Sequence, residues 1–156
     1  MPLEKHVVER GAWFVMHDSE MPSFGSLGGM FSAAAQQIFG EPAEAGKVMG
    51  LAPYGSPEFP SSDFFDIANE KFCFKDNVPL QFRHDERWPN RTSEYEALAS
   101  SVQAALEDAL LYLIQHLREL CRSDNLCYAG GVALNSVANE RIIRESGFHN
   151  VYIMPA

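Results

Sequence analysis

The chain is short of cysteine, of long apolar runs and of clustered positive charge, and each shortage removes a class of protein. Three cysteines, Cys73, Cys121 and Cys127, stand in 156 residues. An odd count without metal-ligand spacing argues against a disulfide framework or a zinc site. It argues for buried free thiols in a reducing cytoplasm. No apolar run approaches the roughly 20 residues of a membrane-spanning helix. The N-terminus, MPLEKHVVERG, has no apolar signal-peptide core, so the sequon Asn90-Arg91-Thr92 carries no weight. The net charge is -9, and no run of Lys or Arg offsets it. Such a surface repels a phosphate backbone, which excludes nucleic acid as a first expectation. It does not exclude a nucleotide, because backbone N–H groups at a helix start hold a small anion locally.

What is present is a hydrophobic fraction of 46%, enough for a folded core. The length fits one domain, residues 1–156, with an irregular insert at about 57–92. Val7-Val8 and Ala12–Met16 (AWFVM) read as strand candidates. LGGMFSAAAQQIF predicts a helix from about Leu27 to Phe39, closed by Gly40 in the left-handed conformation. Between Pro42 and Pro53, residues 43–52 fit a short helix with Gly46 and Gly50 on one face. KFCFKD and PLQFRH are weak strand candidates, with Asp76-Asn77 as a turn between them.

The strongest periodic signal follows Ser93. Apolar residues recur at helical spacing from Tyr95 through Leu98, Val102, Leu106 and Ala109 to Leu113, Leu117 and Leu120. Ser93 and Glu96 make a capping box, and the predicted helix runs from about Glu94 to Arg122. His116 sits at the edge of the stripe and reads as structural. After Ser123-Asp124-Asn125 come a strand (Leu126–Ala129), Gly130-Gly131, a helix from about Leu134 to Glu145 ended by Gly147, and a strand at Asn150–Met154. That order predicts two parallel strands joined by a crossover helix.

Two segments carry the chemistry. In YAGGVALNSVAN, Gly130 and Gly131 follow a strand and precede a helix. The absent Cβ atoms let a phosphate or ribose approach backbone N–H groups, and Asn135 and Ser136 stand at the same end. The pattern is neither a Walker A loop nor a Rossmann fingerprint, and on pattern alone a plain turn is favoured. Asn135 also reads as a simple helix cap, and Asn139 as helix surface. In EAGKVMGLAPYG, Lys47 fits either a phosphate contact or a surface lysine. Glu44 fits ribose hydroxyls or a short helix's first turn equally well. Tyr54 reads as packed on the sheet in preference to stacked on a base. Arg83, His84, Asp85 and Arg87 read as solvated charges, and His17-Asp18 as a loop pair.

EAGKVMGLAPYG, followed about 75 residues later by CYAGGVALNSVANERI and FHNVYIMPA, resembles the O-carbamoyltransferase family of nodulation-factor and antibiotic biosynthesis. SLGGMFSAAAQQIFG and ALASSVQAALEDAL are similar to that family in the same order, so the likeness runs from about Ser26 to the last residue. The resemblance implies an α/β chain with the duplicated ribonuclease-H-like fold of actin-like ATPases, here the second half of the duplicated domain, incomplete. It also implies use of carbamoyl phosphate and ATP. A companion adenylate-forming domain makes carbamoyl-adenylate, and the actin-like domain passes the carbamoyl group to a small-molecule hydroxyl acceptor. Gly130, Gly131 and Asn135 would then hold nucleotide phosphate or ribose, with Glu44, Gly46 and Lys47 across the cleft.

One departure stands out. The family's divalent metal, iron by the resemblance, is held by closely spaced histidines on one helix. His6, His17, His84, His116 and His149 have no such spacing. The family also continues beyond Pro155-Ala156 into a segment that helps hold the metal. The expectation is therefore a cytoplasmic, membrane-free part of a carbamoyltransferase, inactive by itself, with catalytic residues unassigned. The alternative is a non-catalytic module that keeps the scaffold to bind a ligand or partner. A tRNA-modification or hydrogenase-maturation relative is disfavoured by the acidity and by KVMGLAPYG.

Overall fold

The computed structural model describes residues 26–68, 71–75 and 85–155. It is a mixed α/β structure with a small parallel sheet. Its contacts group into two compact units that divide the described residues after Ala105.

In residues 26–105, helix α1 spans Leu27–Phe39, as its composition predicts. Its ends are set locally. The Ser26 hydroxyl accepts from Gly29 N–H at 2.9 Å, and Gly40 takes φ 82, where an L side chain is strained. Met30, Ala34 and Ile38 form its fully buried stripe. A 3-10 turn at Pro42–Glu44 leads into helix α2, Ala45–Leu51, and a second turn at Ala52–Tyr54 follows. The predicted short helix is thus present. Val48 and Leu51 face inward, while Gly46 and Gly50 lie on the exposed face with open space where a Cβ would stand.

The region after Ser56 holds more order than its composition indicates. Strand β1 (Phe65–Ala68) pairs antiparallel with β2 (Lys71–Phe74), and Phe65 stands opposite Phe74. The strand in KFCFKD is therefore real, but its partner precedes it. The alternation Phe65-Asp66-Ile67 was the available signal. PLQFRH, the turn at Asp76-Asn77, Val7-Val8 and Ala12–Met16 lie outside the described residues. So do His17, Asp18, Arg83 and His84. Asp85 is exposed as expected, whereas Arg87 is half-buried beside Gly40.

Helix α3, Thr92–Leu120, passes from the first unit into the second. It starts before the predicted capping box. Tyr95 N–H already donates to the Arg91 carbonyl, and the Thr92 hydroxyl reaches Pro89 O at 2.7 Å, so Ser93 lies inside the first turn. The apolar stripe is buried at Tyr95, Leu98, Val102, Leu106 and Ala109. Farther on, Leu110 and Ile114 stay buried, and the stripe is uncovered only at its end, with Leu120 at 43% exposure. By length and composition α3 is apolar enough to cross a membrane, but 61% of its most apolar window is buried inside the protein.

In residues 106–155, strand β3 (Asn125–Gly130) pairs in parallel with β4 (Asn150–Pro155), in register from Asn125 opposite Asn150 to Gly130 opposite Pro155. Between them lie a 3-10 turn, Gly131–Leu134, and helix α4, Ser136–Glu145. This is the predicted strand-turn-helix-strand unit. One face of the sheet carries Leu126, Tyr128, Val151 and Ile153, and the other exposes Cys127, Tyr152 and Met154. Both Cys121 and Cys127 are free thiols, but Cys127 is exposed and Cys121 half-exposed, against the expectation of burial. The cause is the period-2 alternation of a strand, which turns Cys127 away from the face that buries Leu126. Arg141 anchors α4 to the second half of α3 through Asp108 at 2.8 Å, with Glu145 at 3.2 Å on its own helix.

Candidate functional site

The glycine turn stands at the carboxyl end of β3, where ligands collect in open parallel sheets. Gly130 has φ 116 and ψ 177, a backbone region that L side chains rarely adopt. A Cβ at Gly130 or Gly131 would meet no atom within 4 Å. The space beside both glycines is open, so a ligand group can reach the backbone there.

The turn does not run straight into the helix, contrary to the sequence reading. A 3-10 turn intervenes, and α4 begins behind Asn135. The N–H groups of the α4 start are therefore set back from the glycines, and Gly131–Leu134 contributes its own. Asn135 is the cap: its Oδ1 accepts from Ala138 N–H at 3.0 Å, and the residue is 7% exposed. Leu134 and Val137 beside it are exposed.

Asn139 differs from its surface reading. It is half-buried, and its Nδ2 donates to the Ala133 carbonyl at 2.8 Å. Its Oδ1 is buried with no partner among the described residues. Sequence reasoning missed this because the partner is six residues back, across a turn whose shape has no sequence signature.

Tyr128, on β3 just before the glycines, has a buried hydroxyl without a partner among the described residues. Burial pushes its pKa up to about 12. The folded value lies above the unfolded one, so the phenol's contribution is fully present below about pH 10 and is lost as pH rises towards 12. Tyr128→Phe is expected to leave stability at pH 7 unchanged or slightly raised, since it removes an unsatisfied hydroxyl. It should also flatten the fall in unfolding free energy between about pH 10 and 12. Urea titrations at several pH values check both; a marked loss at pH 7 would show that the hydroxyl has a partner after all.

The second set of candidate residues lies in the other unit. Lys47 Nζ is 2.7 Å from Glu44 Oε2 and 5.8 Å from the Phe39 ring centroid. The lysine side chain is 61% exposed. Exposed ion pairs contribute about 0–1 kcal/mol, so this one holds the lysine only weakly. Gly46 is exposed beside it. Tyr54 is 76% exposed, which overturns the expectation that it packs on the sheet: the 3-10 turn Ala52–Tyr54 buries Ala52 and turns the ring outward.

Among the described residues no group of three His, Cys, Asp or Glu side chains comes together to hold a metal ion. His116 is half-buried and stacked on Tyr112 with ring centroids 6.4 Å apart, consistent with a structural role. His149 is exposed, 3.6 Å from Asp124. A cleft of about 460 Å³ is lined by Asn125, Ile143, His149 and Tyr152 among others. It lies at the amino ends of β3 and β4, away from the glycines, so it is not the predicted site.

The comparisons with known proteins bear on this geometry. Residues 4–156 match the family described as carbamoyltransferase N-terminus. The chain belongs to the carbamoyltransferase family. It is 34% identical over 134 residues to the protein sll1178 of Synechocystis sp., covering 70% of this chain and 21% of that one. It is 32% identical over 123 residues to the nodulation protein NolNO of Sinorhizobium fredii, covering 70% and 18%. It is 27% identical over 123 residues to the nodulation protein NolO of Bradyrhizobium diazoefficiens, covering 70% and 22%. The chain therefore spans about a fifth of the length of these curated relatives. The glycine segments quoted above lie inside the family match.

Proposed function

We propose that this chain is the nucleotide-binding part of a carbamoyltransferase with an actin-like, ribonuclease-H-like scaffold. In this reading the carbamoyl group passes from carbamoyl phosphate, through carbamoyl-adenylate, to a hydroxyl of a small-molecule acceptor. ATP is the co-substrate, and a companion adenylate-forming domain makes the activated carbamoyl group. The observation that carries the reading is the Gly130-Gly131 turn. It is open at both Cβ positions and ends a parallel strand in a chain of this family.

Gly130 and Gly131 would offer backbone N–H groups to phosphate or ribose. Asn135 would hold the helix start behind them, and in the other unit Glu44, Gly46 and Lys47 are the residues that the family resemblance assigns to nucleotide contact. Lys47 would offer a positive charge to an anion, exchanging its exposed pair with Glu44. No step is assigned to a metal, because the described residues bring no ligand set together.

Gly131→Leu tests the reading with little structural confusion. The new side chain meets no protein atom within 4 Å at its Cβ, so the melting temperature should barely move. It fills the space a phosphate would need, so affinity for ATP should fall about tenfold or more, a loss of about 1.4 kcal/mol or more. Asn135→Ala is a poorer test, because loss of the cap alone costs about 0.5–2 kcal/mol. Unchanged ATP affinity in Gly131→Leu, measured by calorimetric titration, would return the segment to a plain turn.

A further inference from the structure

We infer that Asn139 is a positioning residue: its side-chain amide holds the Gly131–Leu134 turn in the shape on which ligand contact at Gly130 and Gly131 depends. Only the ligand part of this inference rests on the nucleotide reading above.

The turn is a four-residue 3-10 stretch, Gly131–Leu134. Asn135 N–H closes it by donating to Val132 O at 3.0 Å. Ala133 is 1% exposed, so water is a poor replacement for any donor its carbonyl loses. Asn139 Nδ2 supplies that donor at 2.8 Å. Asn139 N–H in turn donates to Asn135 O at 3.0 Å, which puts the two asparagines one helical turn apart on one face of α4. Side chains on a helix lean over the turn N-terminal to them, so Asn139 reaches back to the Ala133 carbonyl, while the Asn135 side chain turns forward to Ala138 N–H. Asn135 sets where α4 starts, and Asn139 ties the preceding turn to it.

The other amide atom supports this assignment. Only the NH2 edge of an asparagine donates to a carbonyl, so the Ala133 bond dictates which way the amide faces. Its Oδ1 is then left buried without a partner among the described residues. An asparagine present only for solubility on a helix surface has no reason to bury an unsatisfied acceptor. An aspartate of the same shape has no proton to donate and sets a charge against the Ala133 oxygen.

The test uses the full-length protein with Asn139→Ala and Asn139→Asp, read by amide hydrogen exchange and by calorimetric titration with ATP. Both variants are expected to speed exchange at residues 131–135 by about tenfold or more, with 126–128 and 140–145 unchanged. Both should raise the Kd for ATP about tenfold. Asn139→Asp keeps the volume and replaces the donor with a charged acceptor, so it carries the test where the alanine variant fails to fold. Exchange that is unchanged in the turn, or that rises only in step with the whole domain, overturns the inference. Faster exchange in the turn with unaltered ATP affinity overturns its ligand part. If the wild-type protein binds no ATP yet the local exchange effect is present, the nucleotide reading falls and the role of Asn139 in the turn stands.

Discussion

Gly55→Ala is expected to destabilise the protein by about 3 kcal/mol, the upper end of the range for overpacking. Gly55 follows the 3-10 turn Ala52–Tyr54 and lies against helix α3. A Cβ there would overlap the carbonyl carbon and oxygen of Glu96 and stand 2.8 Å from Ala97 N. Those atoms are helix backbone, which has no rotamer to change. The conformation itself is not the obstacle: Gly55 has φ -107 and ψ -179, open to any residue. Steric approach is the whole cost. Gly50 in the same segment is the matched control, because a Cβ there meets nothing within 4 Å. Gly50→Ala should be neutral or stabilising by about 0.5–1 kcal/mol through better helix propensity. Urea unfolding of both variants decides the matter; equal free energies for the two would show that the loop shifts freely from α3.

Ser101→Ala is expected to cost about 2 kcal/mol. Ser101 is fully buried in α3, and its hydroxyl accepts from Glu58 N–H at 3.0 Å and Phe59 N–H at 3.1 Å. The same hydroxyl donates to Ala97 O at 2.8 Å. Alanine would leave two backbone donors without their acceptor. Glu58 is exposed and Phe59 half-exposed, so water recovers part of the loss, which holds the estimate near 2 and not higher. The measurement is the denaturant midpoint of the variant, with unchanged slope as the sign that the unfolded state is unaffected. A midpoint equal to wild type would mean that the 58–59 contact contributes nothing. Gly55 and Ser101 both seat residues 55–59 on α3, so the double variant should lose less than the sum of the single losses.

These two effects show where sequence reading ran out. Gly40 closes α1 as its sequence indicated, while the Ser26 cap at the other end was not read from the sequence. The apolar period of α3 identified the helix, because 3.6-residue spacing is a property of the segment itself. The start of α3 was misplaced because Ser93 and Glu96 satisfy a capping pattern that the backbone does not use. Arg91, at φ 53, turns the chain before them. The β1–β2 pair was half legible, since β2 has a strand-like run and β1 only a brief alternation.

The candidate site divides the same way. YAGGVALNSVAN by itself determined a strand, a glycine break and a helix, because chain direction and glycine's freedom are local facts. EAGKVMGLAPYG likewise determined a short helix with glycines on one side. The order of these segments also determined the family. Only the tertiary structure decided that Gly130 and Gly131 face open space while Gly55 is pressed against a helix. Only it showed that Asn135 caps α4, that Asn139 holds Ala133, and that Ser101 receives a loop 42 and 43 residues away. The reason is physical: a glycine's neighbours and an amide's partner depend on which elements come together in space, and no residue carries that information in its own identity.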